Sequence, residues 1–284
     1  MMQWLMCYRR MARASLLWRI ILFFATLLLL WAPGAVCIYG LGQLFAQAQA
    51  ASTLALVALY IGFVCHAWFW GYGVHGWKRP FEKYGLLFCG RFVRDGLAAL
   101  LCGFCLVCVL FALEVGLGWA SFHPRSVMPI ALEGLAVGLG IAIAEELLFR
   151  GWLLAELCTG VSRTQALLWS SCIFAVAHFI KPLPEVLRTS PQFLGLLLLG
   201  LLLSTSRYIS RPRRPWFSSL GLPIGLHGGL VWGYYIVDVG DLVVPSGRAP
   251  EWVTGIHGNP LSGALGVLIL GCLTAVCCFN LRSK

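Results

Sequence analysis

The strongest constraint on this chain is a series of apolar runs, each long enough to cross a lipid bilayer. A transmembrane helix needs about 20 predominantly apolar residues, and such runs recur about eight times. They lie near Leu17–Val36, Thr53–Trp70, Leu97–Leu117, Ala136–Leu157, Ala166–Ile180, Phe193–Ser206, Leu220–Val237 and Leu261–Phe279. The chain is 60% hydrophobic and only 11% charged, whereas soluble domains are about 25% charged. The sequence therefore predicts an all-α, polytopic transmembrane helical bundle of about eight spans.

The positively charged residues lie between the apolar runs and are distributed unequally over the two sides of the membrane. If the N-terminus is cytoplasmic, 17 of the 21 Lys and Arg residues fall in cytoplasmic segments, Arg150 and Arg207 included. Positive charge in short loops marks the cytoplasmic side, so we expect both the N- and C-termini there. The net charge of +10 then reflects topology, and no nucleic-acid partner is expected because no basic face with interleaved aromatic residues is present.

The first apolar run also has features of a signal peptide, because Ala46-Gln47-Ala48-Gln49-Ala50 resembles a cleavage site. The run is longer than a typical signal-peptide core, and a strongly basic segment precedes it. These features favour a retained first span.

Ionisable residues interrupt three of the apolar runs. Glu145 and Glu146 are adjacent in the fourth run, His178 lies in the fifth and His227 in the seventh. One acidic side chain at the bilayer centre costs roughly 2.5–3.5 kcal/mol on insertion scales, so an intramembrane ionisable residue indicates a functional site.

Residue counts predict that Glu145, His178 and His227 lie at a similar depth. Each of the three lies twelve residues from the point taken as the cytoplasmic end of its helix, and for His227 this point is Pro215, at the end of a basic loop. Twelve helical residues rise ~18 Å. The fourth and fifth runs form a hairpin whose turn falls near Thr159–Ser162. We therefore expect these three side chains to meet in one cavity.

Helical spacing separates the two adjacent carboxylates. Glu146 and Arg150 are an i,i+4 pair on one helix face, whereas Glu145 points about 100° away. This geometry predicts that Arg150 supports Glu146 while Glu145 faces the cavity. In the seventh run a glycine recurs at every fourth position from Gly221 to Gly233, and such a stripe lets another helix backbone approach closely.

A carboxylate with two imidazoles in a water-accessible cavity is suited to hydrolysis. The carboxylate can take a proton from water, and the imidazoles can polarise that water, bind a metal or stabilise an oxyanion. Simpler interpretations stay open, because a Glu–Arg pair is often structural and a single intramembrane His often hydrogen-bonds a neighbouring helix. Three sites at a matched depth favour the functional interpretation.

The polar residues of these runs form an ordered set of motifs: Glu145-Glu146-x-x-x-Arg150, Phe174-x-x-x-His178 and His227. This set resembles the CPBP (ABI) family of intramembrane proteases, which includes the type II CAAX prenyl endopeptidases and bacteriocin-processing or immunity proteins. The resemblance covers about Ile141 to Tyr235, roughly a third of the chain. The context of the seventh run looks most like cyanobacterial and plastid members.

The resemblance implies an intramembrane endopeptidase that acts on membrane-associated peptide or protein substrates, prenylated or unmodified. It implies that Glu145 is the water-activating base and that Glu146 is its supporting carboxylate. His178 would act with Glu145 on the water, His227 would help to stabilise the oxyanion, and Arg150 would brace the fourth span. Members of the family are called metalloproteases. The alternative to activation of water by the side chains alone is therefore a divalent metal such as Zn²⁺, held by Glu145, His178 and His227 with one coordination position open.

One position departs from the family pattern. The third motif of the prenyl endopeptidases is usually His-x-x-x-Asn, and here the fourth residue after His227 is Val231. A missing amide donor at an oxyanion site typically costs about 10²–10³ in rate. Val231 therefore leaves open a non-catalytic scaffold or bacteriocin-immunity-type protein of the same fold. An ion-coupled transporter is a third alternative, because intramembrane Glu and His also mark ion paths.

The sequence suggests three parts. Residues 1–127 hold N-terminal transmembrane helices, residues 128–240 the protease-like catalytic core, and residues 241–284 a C-terminal loop and the last helix. We expect an integral, multi-pass protein in the lipid bilayer of the plasma membrane, or of the thylakoid membrane for a cyanobacterial member.

We predict that reporter domains fused at Cys7 and at Lys284 both report a cytoplasmic location, because 17 of 21 basic residues are cytoplasmic in that orientation. A paired alkaline phosphatase and fluorescent protein assay measures this. Reporters on opposite sides of the membrane would contradict an even number of spans.

Overall fold

The computed structural model describes residues 8–87, 89–209 and 219–282, which are mostly helical. The longer helices are α1 (Leu16–Leu44), α2 (Ala48–Gly73), α4 (Gly90–Gly116), α5 (Met128–Glu146), α7 (Arg163–Ala177), α9 (Phe193–Ile209), α10 (Gly221–Val239) and α12 (Ala264–Arg282). The short helices are α3 (Pro80–Tyr84), α6 (Leu154–Leu157), α8 (Leu183–Thr189) and α11 (Glu251–Thr254). Strands β1 (Ala120–Phe122) and β2 (Val243–Pro245) form a small antiparallel pair in which Ala120 lies opposite Pro245.

Each predicted apolar run overlaps one of the longer helices, which confirms the all-α membrane bundle. Within the described residues, four helical segments are long and apolar enough to cross a bilayer: Leu16–Leu44, Ala48–Gly73, Gly90–Gly116 and Leu183–Ile209. A fifth apolar helix, Ala264–Asn280, is shorter. The count of eight spans and the cytoplasmic ends stay predictions. The basic loop at 211–215 and the fusion sites Cys7 and Lys284 lie outside the described residues.

The described chain divides into two compact units, Met1–Lys83 and Tyr84–Lys284. In the first unit, α1 packs on α2, and the Trp31 indole N–H donates to the carbonyl of Ala55 at 2.9 Å. In the second unit, α4 packs on α10. The division predicted from the sequence places α4 with the N-terminal helices instead. The predicted boundaries at 127/128 and 240/241 stay predictions.

The glycine stripe on α10 allows the close helix contact that the sequence predicted. A methyl group at each of these glycines would collide with α4. The close pairs are Gly221 with Phe92, Gly225 with Gly96, Gly229 with Leu100 and Gly233 with Val107. Residue numbers rise together in these pairs, so α4 and α10 run parallel. On the other side of α10, Gly134 lies against Tyr235 and Gly138 against Gly228, so α5 runs antiparallel to α10.

The predicted hairpin is present between the fourth and fifth runs. The chain leaves α6 at Leu157 and enters α7 at Arg163, where Ser162 and Gln165 form a capping box. The fifth run ends earlier than expected, because α7 stops at Ala177 and His178 is its C-cap. His178 is therefore at a helix end rather than within a span that continues to Ile180.

A seven-residue π-helix, Leu147–Leu153, separates α5 from α6. π-helices close i→i+5 hydrogen bonds and are frequent at functional sites. Because a π-helix rises less per residue than an α-helix, the predicted rise of ~18 Å from Leu157 to Glu145 is too long. The two acidic residues are the last residues of α5, directly before this π-helix.

We predict that Gly229→Ala lowers the free energy of unfolding by about 1–3 kcal/mol, because the added methyl group overlaps the Leu100 carbonyl oxygen. Gly140→Ala is the matched control, since no atom lies within 4 Å of the position that its added methyl group would take, and it should be neutral or slightly stabilising. Thermal unfolding in detergent measures both. Equal midpoints would mean that α4 and α10 are not held at this separation.

Candidate active site

Glu146 lies at the centre of the polar cluster in the second unit. Its side chain has no solvent exposure, and its Oε1 atom accepts two hydrogen bonds. Arg150 Nη1 donates at 2.8 Å, and His227 Nδ1 lies at the same distance, 2.8 Å. The i,i+4 pair that the sequence predicted between Glu146 and Arg150 is therefore present, and His227 is attached to it.

Arg150 is fully buried and uses each nitrogen of its guanidinium group. Besides Glu146, it donates from Nη2 to the carbonyl of Gly200 at 3.2 Å and from Nε to Ser204 Oγ at 3.3 Å. Its cationic carbon lies 4.1 Å from the centroid of the Phe174 ring, which is a cation–π contact. Helices α7 and α9 thereby fix the position of Arg150.

Two backbone carbonyls of the π-helix accept hydrogen bonds from neighbouring side chains. Arg207 of α9 donates from Nη1 to the carbonyl of Arg150, and the Ser170 hydroxyl donates to the carbonyl of Phe149 at 2.9 Å. Arg207 is only 3% exposed. The sequence analysis counts Arg150 and Arg207 among the basic residues of the cytoplasmic side. Both are buried hydrogen-bond donors within the helical packing, and the side of the membrane on which they lie stays a prediction.

The two histidines are oriented by their Nδ1 atoms. Because a carboxylate and a carbonyl only accept, His227 Nδ1 donates to Glu146 and His178 Nδ1 donates to the Phe174 carbonyl at 2.8 Å. In both rings Nε2 is then the nitrogen left for other chemistry. The Phe174 ring contacts both imidazoles, with centroid distances of 4.6 Å to His178 and 6.3 Å to His227.

Glu145 occupies a different environment from its neighbour. Its side chain is 29% exposed, and Oε2 lies 4.0 Å from His227 Nε2, which is too long for a direct hydrogen bond. No described residue donates a hydrogen bond to this buried oxygen. One water molecule can bridge two polar groups at such a separation.

Glu145, His178 and His227 line one cavity of about 380 Å³. Helices α4, α5, α9, α10 and α12 supply most of its wall, which is apolar outside a few positions. The other polar side chains that line it are Gln192, Tyr234 and Asn259. Val231 also lines it, so the position that departs from the family pattern faces the same space. The structure thus brings the three predicted residues to one cavity, while Glu146 and Arg150 lie behind it.

A metal site is not formed by these side chains as they stand. Across residues 8–87, 89–209 and 219–282, no group of three His, Cys, Asp or Glu side chains is arranged to hold a metal ion. His227 Nδ1 is already engaged by Glu146 and His178 Nδ1 by a carbonyl. Dependence on zinc through Glu145, His178 and His227 stays a prediction.

Several supporting residues were missed by the sequence reasoning. Gly200 and Ser204 bind Arg150, and their i,i+4 spacing within a leucine-rich run is the signal that could have identified them. The contact of Arg207 with the Arg150 carbonyl had no such signal, and neither did the position of Asn259 in the cavity wall. Both depend on contacts between segments far apart in sequence.

This arrangement defines a class of protein, a helical membrane protein with a carboxylate and two oriented imidazoles around one cavity. Residues 127–233 match the family model described as type II CAAX prenyl endopeptidase Rce1-like. The match confirms the family resemblance over that segment and supports a CAAX-type intramembrane protease at the level of the family. The cyanobacterial or plastid subgroup stays a prediction. No curated protein and no solved structure matched the chain.

We predict that Arg150→Met lowers the free energy of unfolding by about 3–5 kcal/mol, because it leaves the buried Glu146 carboxylate without its cation. Arg188→Met is the control, since the Arg188–Glu185 pair is half exposed and a solvent-exposed ion pair contributes little to stability. Denaturant titration in detergent micelles measures the difference. Equal losses in the two variants would refute the buried pair as a structural anchor.

Proposed function

We propose that this protein is an intramembrane endopeptidase that hydrolyses a peptide bond in a membrane-associated substrate, with Glu145 as the base that activates water. The observation that carries the proposal is the shared cavity, where the Glu145 carboxylate and two imidazoles with fixed Nδ1 atoms meet. The family match over residues 127–233 supports the same reaction class. Prenylated and unmodified peptides are both candidate substrates.

The proposed reaction begins with a water molecule between Glu145 Oε2 and the imidazoles. Glu145 accepts one proton from this water while the oxygen of the water attacks the carbonyl carbon of the substrate. His178 orients the water through Nε2. The tetrahedral intermediate carries an oxyanion, to which His227 donates from Nε2 when its ring carries both protons. The C–N bond then breaks, and the leaving amine takes the proton from Glu145.

Glu146 and Arg150 have a supporting role in this proposal. Glu146 holds His227 through Nδ1 and supplies a negative charge beside the ring, and Arg150 neutralises Glu146. Second partners of this kind fix the orientation of a catalytic imidazole. Two adjacent carboxylates thus take different roles because their environments differ: one is buried and paired, and the other faces the cavity.

We predict that Glu145→Gln lowers the rate of peptide cleavage at least ~10²-fold, because the amide keeps the shape of the side chain but cannot accept the proton of water. The assay uses purified protein in liposomes with a fluorogenic CAAX peptide, farnesylated in one series and unmodified in the other. Glu133→Gln is the matched control, since Glu133 is an exposed residue of the same helix, α5, and its rate should equal that of the wild type.

The same two variants separate the alternatives when cleavage, partner binding and ion flux are each measured. Cleavage by Glu145→Gln at the wild-type rate would contradict the protease proposal. A scaffold or immunity-type protein predicts that neither variant changes a binding phenotype, whereas an ion-coupled transporter predicts that Glu145→Gln loses flux with no proteolytic effect.

A further inference from the structure

The cavity extends beyond the polar cluster to a part of the chain outside the family match. Its wall there is formed by α12 and by the turn at Asn259, both C-terminal to residue 233. Among the lining side chains in this region, only Asn259 carries an amide. Tyr234 also lines the cavity, but its hydroxyl is within hydrogen-bond distance of Asp238 Oδ1 at 3.3 Å and the Gly258 carbonyl at 3.5 Å.

The orientation of the Asn259 side chain is fixed by its own turn. Its Oδ1 atom accepts from the backbone N–H of Leu261 at 2.9 Å. Since a backbone N–H needs an acceptor, the oxygen of the amide must face Leu261. The Nδ2 group is then the end of the side chain that can donate to a ligand. Each amide nitrogen of this kind carries two donors.

The turn that carries Asn259 is held rigidly. The Ser262 hydroxyl bonds the Asn259 carbonyl at 2.8 Å and receives the Ile256 N–H at 2.9 Å. The turn also packs closely on α9, because a methyl group at Gly195 would overlap the Leu261 carbonyl. A donor on such a support loses little conformational entropy when it binds a ligand.

We propose that Asn259 is a substrate-binding residue, whose Nδ2 group donates a hydrogen bond to a backbone carbonyl of the bound peptide. This inference rests on the proposed function, since it assigns the peptide to the same cavity. An extended peptide in an apolar cavity has carbonyls that water does not reach, and each one left unpaired is costly. Asn259 is placed to pair one of them, while the apolar wall of α12 accepts neighbouring side chains of the substrate.

The test measures peptide binding without hydrolysis, in the Glu145→Gln background. The probe is a fluorescent farnesylated CAAX peptide, with its unmodified counterpart in parallel, and the reading is the equilibrium dissociation constant in liposomes. Asn259→Asp keeps the Oδ1 acceptor for Leu261 and removes the donor. We expect a dissociation constant about five- to ten-fold higher, as for the loss of one hydrogen bond.

Asn280→Asp is the matched control, because Asn280 is an exposed asparagine on α12 whose Nδ2 donates to the Val276 carbonyl. Its dissociation constant should equal that of the parent. Asn259→Ser is a second variant that also retains a capping oxygen. It shows whether weaker binding comes from the lost donor or from a folding defect, and it should weaken binding as Asn259→Asp does. Equal affinity of both Asn259 variants and the parent, or no binding by the parent, would overturn the inference. Peptide that binds but is not cleaved by the wild type would contradict the proposed function alone.

Discussion

The rest of the site depends on one interaction, the buried ion pair between the Glu146 carboxylate and Arg150. A charge without solvent exposure is tolerated inside a helical bundle only when it is paired and hydrogen-bonded. Arg150 supplies the pairing and is itself held by Gly200, Ser204 and the Phe174 ring. His227 then takes the remaining position on Glu146 Oε1, so one carboxylate fixes both a structural cation and an imidazole of the cavity.

The π-helix begins directly after the two adjacent acidic residues, whose different environments come from the step of about 100° between neighbouring residues of α5. The carbonyls of the π-helix are bonded by Arg207 and Ser170 rather than left to solvent. Glu146 points into the packed helices, and Glu145 lines the cavity. The proposed division into a base and its support follows from this local geometry.

Much of this could be predicted from sequence where the signal was local or periodic. The i,i+4 spacing identified the Glu146–Arg150 pair, the four-residue glycine repeat identified the face of α10 that α4 approaches, and residue counting identified the hairpin. The π-helix and the early end of α7 at Ala177 were missed, because the predominantly apolar sequence around each of them predicts a regular helix that continues. The contact of Arg207 with the Arg150 carbonyl was also missed, since a partner more than 50 residues away leaves no periodic pattern. The place of Asn259 in the cavity wall was missed too, because it depends on how distant segments pack together.

The most direct test of the proposed chemistry is a single-turnover reaction in H₂¹⁸O with enzyme in excess over a cleavable peptide. If Glu145 acts as a base, the oxygen of water enters the new carboxyl terminus in the first turnover, and mass spectrometry finds one ¹⁸O atom there and none in Glu145. A first-turnover product without the label, together with ¹⁸O in the Glu145 side chain, would contradict this mechanism, because it would make Glu145 a covalent nucleophile.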